Sequence, residues 1–248
     1  MALVWQKKVA DRNYEVRQAG ASLRLYTNGV FHSQFNPNCI LGGHVWDLLV
    51  LPALFAPEKI RRILILGLGG GAAVRTLQCL LPKRDISAVE IDATHIQIAK
   101  RFFGVRPNKH TTLIQADALE WLYNYRGEKF DFILDDLFIE DDGNPNRAIN
   151  SNKHWFKQLQ KQLSPHGIIA INFDSNVTWR KSALAIDLPC LNSFASRFVL
   201  SQSGYENRIV ALSKLALSPK NIASNLQLQK TYLSNTLGRR INYKIRAI

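Results

Sequence analysis

The sequence predicts an α/β protein: a doubly wound, mostly parallel sheet preceded by a small antiparallel β unit. Three observations carry that prediction. Between residues 63 and 171, short apolar runs alternate with helical stretches, as repeated βα units require. A glycine-rich turn, Gly67-Leu68-Gly69-Gly70-Gly71, separates the first of those runs from the first helix. Before residue 43 the pattern changes to period two and contains Asn28-Gly29, a hairpin signal because both residues tolerate positive φ. Together they describe a small N-terminal β-hairpin domain over 1–43 and a Rossmann-like domain over 44–213 with a seven-stranded sheet. A basic helix or tail over 214–248 follows.

The elements follow in order. Tyr14-Glu15-Val16-Arg17 and Ser22-Leu23-Arg24-Leu25-Tyr26 alternate as half-buried strands do, and Val30-Phe31-His32-Ser33 is the return strand. Residues 36–43 read as a loop, and 44–55 as an apolar helix stopped near Pro57. Ile63-Leu64-Ile65-Leu66 is apolar throughout, as a central parallel strand must be. A helix over 72–81, a strand over 86–89 and a helix over 93–103 come next. Then come a strand over 111–114, a short helix over 118–125 and a strand over 132–134. A helix over 154–163 leads through a turn at Pro165-His166-Gly167 into Ile168-Ile169-Ala170-Ile171, a fifth strand. Segments 197–200 and 208–212 flank Gly204 as a closing hairpin, and 219–237 forms a last helix.

Composition excludes several classes. The 248 residues are 46% hydrophobic and 10% aromatic, enough for a sizeable core and too much for disorder. No apolar run approaches the roughly 20 residues of a membrane helix, since the longest, 45–56, contains Pro52. The N-terminus carries no export pattern. Cys39, Cys79 and Cys190 are too few and too scattered for a disulfide framework, which fits a cytoplasmic protein. The six histidines show no pair at i, i+4, so no metal site is predicted. The five tryptophans read as core or interface residues. The formal charge is +13, and residues 214–248 contribute seven basic groups and no acid.

Four segments carry chemistry. Gly67, Gly69, Gly70 and Gly71 allow a tight turn and a close backbone approach, and the helix behind them offers free amides to an anion. Glu90, in Val89-Glu90-Ile91-Asp92, ends the second strand, where a carboxylate can accept from ribose hydroxyls. Asp117-Ala118 ends the third strand. Its carboxylate suits an exocyclic amine and its small neighbour admits an adenine ring, while Asp117 also suits a helix N-cap. Asp135-Asp136 ends the fourth strand, at the sheet edge where ligands react, and Asp136 is placed to deprotonate a nucleophile. Like charges side by side raise one pKa. Glu140, Asp141 and Asp142 read as a solvated loop. The spacing points to a nucleoside-bearing cofactor without choosing among NAD, FAD and S-adenosyl compounds.

Taken in order, Ile65 through Gly71, Val89-Glu90-Ile91-Asp92, Asp117-Ala118 and Phe130-Asp131 through Asp136 resemble the spermidine synthase family and its methyltransferase-like relatives. The resemblance covers roughly residues 12–213. It implies an S-adenosyl cofactor, either S-adenosylmethionine or its decarboxylated form. It also implies Asp136 as the catalytic carboxylate and a homodimer. The departures fall on the substrate side. Gly70 stands where the family has a loop Asp, and His32 where it has Gln. The Tyr-His-Glu segment falls near Leu41-Gly42-Gly43, with His44 close by. Ile139 takes the place of the diamine-holding Asp, with Glu140 next to it. His32, His44, Asp135 and Glu140 are therefore the weak substrate-binding candidates.

A diamine needs acceptors at both ends, because an unpaired buried cation is costly. The first expectation is accordingly methyl transfer from S-adenosylmethionine to a small-molecule acceptor. Aminopropyl transfer is the alternative. A different class is an inert core with a nucleic-acid-binding tail, in which Lys214, Lys220, Lys230, Arg239, Arg240, Lys244 and Arg246 supply charge and Tyr232 and Tyr243 stack on bases. A third reading, an NAD-dependent dehydrogenase, is compatible with the glycine spacing, but the sequence shows no convincing hydride-transfer site.

Overall fold

The computed structural model describes residues 1–141, 144–186, 188–228 and 243–248. Strands β1 (Ala2–Val9), β2 (Arg12–Ala19), β3 (Ser22–Thr27) and β4 (Val30–Phe35) form an antiparallel meander. Helix α1 (Val45–Val50) runs into a 3₁₀ turn at Leu51–Leu54. The alternating region follows as β5 (Arg62–Leu66), α2 (Ala72–Leu80), β6 (Asp85–Glu90), α3 (Ala93–Arg101), β7 (Thr111–Gln115), α4 (Ala118–Asn124) and β8 (Phe130–Asp135). A hairpin of β9 (Phe138–Asp141) and β10 (Asn144–Arg147) precedes α5 (Lys153–Lys161) and β11 (Leu163–Phe173). Then come α6 (Asn176–Lys181), α7 (Ala183–Ile186), β12 (Ser196–Gln202), β13 (Arg208–Ser213), α8 (Pro219–Leu228) and β14 (Tyr243–Ala247).

The large sheet has the order β14-β12-β13-β11-β8-β5-β6-β7. Strands β11, β8, β5, β6 and β7 are mutually parallel; β13, β12 and β14 are antiparallel. Both faces are covered, which explains the unbroken apolar runs. Ile63 and Ile65 of β5 pack into the core beneath α1 and α2, while Leu64 and Leu66 pack with α4 and α5. Phe132 and Ile133 of β8 divide between the same two faces. Side-chain caps start several of the helices, three of them around the parallel strands. Asp92 accepts from Thr94 N and His95 N, Asp117 from Leu119 N and Glu120 N, and Asn152 from Trp155 N.

Several expectations are corrected. The sheet has eight strands rather than seven, because the basic C-terminal segment ends as β14 against β12 rather than as a helix or free tail. Nothing local announces a pairing with a strand about forty residues away. The N-terminal unit has four strands, since β1 lies outside the predicted hairpin; it is exposed almost throughout and shows no apolar alternation. Glu140 and Asp141 lie on β9, paired with β10, rather than in a solvated loop, and Asp142 lies outside the described residues. The predicted turn at Pro165-His166-Gly167 lies inside β11, where the register with β8 slips between Leu163 and Ile168. His166 Nε2 there meets Asp131 Oδ1 at 2.9 Å. The last helix is described only to Leu228, and Lys230, Tyr232, Arg239 and Arg240 lie outside the described residues. Among the described residues, no helix is long and apolar enough to cross a membrane.

Candidate active site

A cavity of about 650 Å³ opens at the C-terminal edge of the parallel strands, between the sheet and the N-terminal unit. The glycine turn forms its floor. Gly67 holds φ +92°, and a Cβ there would collide with the carbonyl of Asp136. Only glycine therefore lets the β5–α2 turn and the end of β8 approach this closely. Gly69 and Gly71 also hold positive φ, and Gly71 is packed against Val105. Gly67 and Gly69 line the cavity. Gly70 and Gly71 lie behind it: a Cβ on Gly70 would sit 2.9 Å from both Phe103 Cζ and Ser33 Cβ. The place of a loop carboxylate is thus filled by other side chains.

Glu90 is buried and holds the turn together. Its Oε2 accepts from Leu68 N at 3.0 Å and Gly69 N at 2.9 Å, and its Oε1 accepts from Asp92 N at 3.0 Å. Burial pushes its carboxyl up, but His95 and the backbone amides outweigh that, and the net direction is down. Glu90 thus stays ionised while facing the cavity. Asp117 and Ala118 line the same wall. Asp117 Oδ1 receives the two α4 amides, so its capping role is realised alongside its exposure to the cavity.

Asp136 lies at the opposite wall. Its amide donates to Leu66 O at 2.9 Å, and its Oδ1 accepts from Asn172 Nδ2 at 2.7 Å. Asn172 Oδ1 in turn accepts from Asn207 Nδ2 at 3.1 Å. Burial, with Asp135 adding to it, pushes the Asp136 carboxyl up to about 6 against the opposing pull of Asn172 and Arg147.

Asp135 does not line the cavity, which corrects its candidacy as a substrate ligand. It is fully buried beneath the floor, where its Oδ2 accepts from Arg147 Nη2 at 2.9 Å and Trp155 Nε1 at 2.8 Å. Arg147 also donates to Asn172 O and packs its guanidinium over Phe173. This pair anchors the β9/β10 hairpin to the sheet.

The remaining candidates divide. His32 lines the cavity, and its buried Nε2 has no hydrogen-bond partner. Burial and the neighbouring His95 lower its pKa to about 4, so the ring is neutral at pH 7. Glu140 lines the cavity and accepts from Asn28 Nδ2 at 2.9 Å, joining the β9/β10 hairpin to the N-terminal unit. His44 does not line it; its Nδ1 lies 3.3 Å from the hydroxyl of Tyr205, which does. Ile139 reaches the cavity with Leu137 and Phe138, giving that wall an apolar character.

Sequence reasoning missed Arg12, Asp92, Asn172, Tyr205 and Asn207, all of which line the cavity. Asp92 binds the N-terminal unit to the sheet through Tyr14 Oη (2.7 Å) and Arg12 Nη1 (3.2 Å). Trp46, read as core or interface, is buried in the core, where it meets Phe31 edge-on at 4.6 Å and also borders the cavity. Asn172 had a signal: it is a polar residue interrupting the apolar run of β11. Tyr243, offered as a base-stacking residue, instead donates its hydroxyl to the buried Asp47 at 2.5 Å. Asp47 also caps α1 through Gly43 N and His44 N. Among the described residues, no group of three or more His, Cys, Asp or Glu side chains is placed to hold a metal.

The spermine/spermidine synthase domain matches residues 46–196. This chain belongs to that family. A polyamine aminopropyltransferase of Vibrio vulnificus is 30% identical over 191 residues, covering 76% of this chain and 61% of its own length. The chain thus spans less than two thirds of that relative. A probable spermidine synthase from Corynebacterium glutamicum superposes over 100% of this chain and 91% of its own, with a TM-score of 0.73 at 17% identity. Human methyltransferase-like protein 13, in complex with SAH, superposes over 79% of this chain and 90% of its own, with a TM-score of 0.59 at 20% identity. Family membership thus carries the expected Rossmann-like architecture, and the fold is one that aminopropyl- and methyltransferases share.

Proposed function

We propose that this member of the family transfers a methyl group from S-adenosylmethionine to a small acceptor held against Asp136. The residues fit an S-adenosyl group. The cavity has the size of a small-molecule site. Glu90 and Asp117 face it from adjacent strand ends, and each carboxylate keeps lone pairs beyond those its backbone amides use. When bound, the sulfonium supplies an electrophilic carbon. Asp136 accepts the proton of the acceptor nucleophile, and a pKa near 6 leaves it ionised yet basic at neutral pH. Asn172 and Asn207 fix its orientation. Leu137, Phe138 and Trp46 exclude water from that end.

The observation that favours S-adenosylmethionine over its decarboxylated form is Gly70. The glycine turn offers no carboxylate there for an aminopropyl ammonium, and Ser33 and Phe103 close the place where one would stand. The positive end of the nine-residue α2 faces the turn and favours an anion. Calorimetric titration with the two compounds tests this reading. Tighter binding of S-adenosylmethionine is expected, and tighter binding of the decarboxylated form overturns it.

A second reading, aminopropyl transfer, is favoured by Glu140 and Asp174. Both are carboxylates lining the same cavity as Asp136, and they suit a cationic amine.

A further inference from the structure

A second cavity, of about 250 Å³, opens at the other end of the sheet. Strand β6 joins the two: Glu90 ends it at the candidate active site, and Asp85 begins it beside the second cavity. Five residue steps at the usual strand rise put those ends roughly 17 Å apart. The second cavity is therefore remote from the chemistry described above.

Its walls are basic. Arg75 projects from α2, Lys83 and Arg84 from the turn that follows, and Arg106 from the segment after α3. None of the residues lining it is acidic. The adjoining Asp85 carboxylate is engaged by His110 Nδ1 at 2.8 Å. Among the described residues, no carboxylate forms a salt bridge with Arg75, Lys83, Arg84 or Arg106.

Two donors there are unmet. Arg75 Nε and Arg84 Nε are both buried without a hydrogen-bond partner. Arg75 donates to Gln78 Oε1 at 3.1 Å and lays its guanidinium over the Phe35 ring, 5.3 Å from its centroid, and Arg84 donates to the carbonyl of Pro82 at 3.5 Å; neither contact engages Nε. A guanidinium is always charged and offers five donors in a planar fork. A buried donor left unmet costs about 1–3 kcal/mol, and like charges gathered without an acid repel one another. An oxyanion removes both penalties at once. The number of cations favours a multiply charged anion, and forked donors favour phosphate oxygens.

We propose that this cavity binds the phosphate or diphosphate group of a small anion. Recessed donors favour a compact group over a polymer, because a nucleic-acid backbone tracks along the surface and does not reach buried Nε atoms.

The test is calorimetric titration of the full chain with inorganic pyrophosphate at low salt. It is repeated on Arg84→Gln/Arg106→Gln and on Arg106→Gln alone. Arg106 is exposed, so the single variant does not put folding at stake. Saturable one-to-one binding by the unaltered chain is expected, weakened at least tenfold in the double variant and by a smaller factor in the single one. Equal affinity in all three proteins overturns the proposal, as does the lack of saturation at millimolar pyrophosphate. A single-stranded oligonucleotide that binds through the same arginines where pyrophosphate does not also overturns it, in favour of a nucleic-acid surface.

Discussion

Asn172 donates to Asp136 across the gap between β11 and β8, at 2.7 Å, and is itself oriented by Asn207. The bond favours the ionised carboxylate, whereas burial favours the protonated one. A carboxylate acting as a base gives a rate that falls as pH drops below about 6. Removing the donor in Asn172→Ala moves that acidic limb to higher pH. Asp136→Asn lowers the transfer rate by about 10²- to 10⁴-fold and leaves S-adenosylmethionine binding intact. Single-turnover rates across pH, with a calorimetric control for binding, measure both effects. An unshifted limb in Asn172→Ala would remove Asp136 from the role of base.

The turn at Gly70 makes a prediction about stability. Gly70→Asp does not restore a polyamine-type loop. It drives a Cβ against Ser33 and Phe103 and costs about 1–3 kcal/mol by overpacking. Ser33→Gly in the same chain recovers part of that loss. Urea midpoints of the single and double variants measure it.

Arg147 and Asp135 form a buried ion pair, with the Arg147 side chain 8% exposed and that of Asp135 fully enclosed. Arg147→Met leaves a buried carboxylate without its counter-charge, at about 3–5 kcal/mol. Adding Asp135→Asn removes the stranded charge and recovers most of the stability. A double-mutant cycle from denaturant unfolding should show strong coupling, and additive losses would contradict the pairing.

Asp47 is buried with three donors on its Oδ2, from Gly43, His44 and Tyr243, and burial raises its carboxyl to about 6. Its folded pKa lies above the ordinary carboxylate value. The folded state therefore holds more protons between about pH 4 and 6, and stability declines as pH rises through that window before levelling off. Tyr243→Phe withdraws a donor from the ionised form. The expected loss is about 1–3 kcal/mol at pH 8 and smaller at pH 5. Denaturation at the two pH values distinguishes this from a loss independent of pH.

The parts of the molecule written into contiguous residues were legible from the sequence. The central strand Ile63-Leu64-Ile65-Leu66, the glycine turn, Glu90 and Asp136 each sit where a local pattern puts them. What escaped depends on partners far along the chain. Strand β1 is exposed and is defined by its ladder with β2 rather than by alternation. Strand β14 takes its place from β12 and from Asp47, a contact 196 residues away in sequence. Asp135 and Asp136 look equivalent as a dipeptide, but strand geometry points neighbouring side chains to opposite faces. One meets Arg147 and Trp155 in the core, and the other meets the cavity.

The bond between Asn28 and Glu140 joins segments 112 residues apart. Arg12, Phe31 and His32 on one side of the cavity and Tyr205 and Asn207 on another lie outside the segment 46–196 that matches the family domain. A fragment cut to that segment keeps the turn, Glu90 and Asp136 but loses two walls. The complete cavity is then a property of the assembled molecule, and closing it depends on contacts between segments far apart in sequence. Residues 1–45 and 197–248 added back in trans would have to rebuild it by complementation.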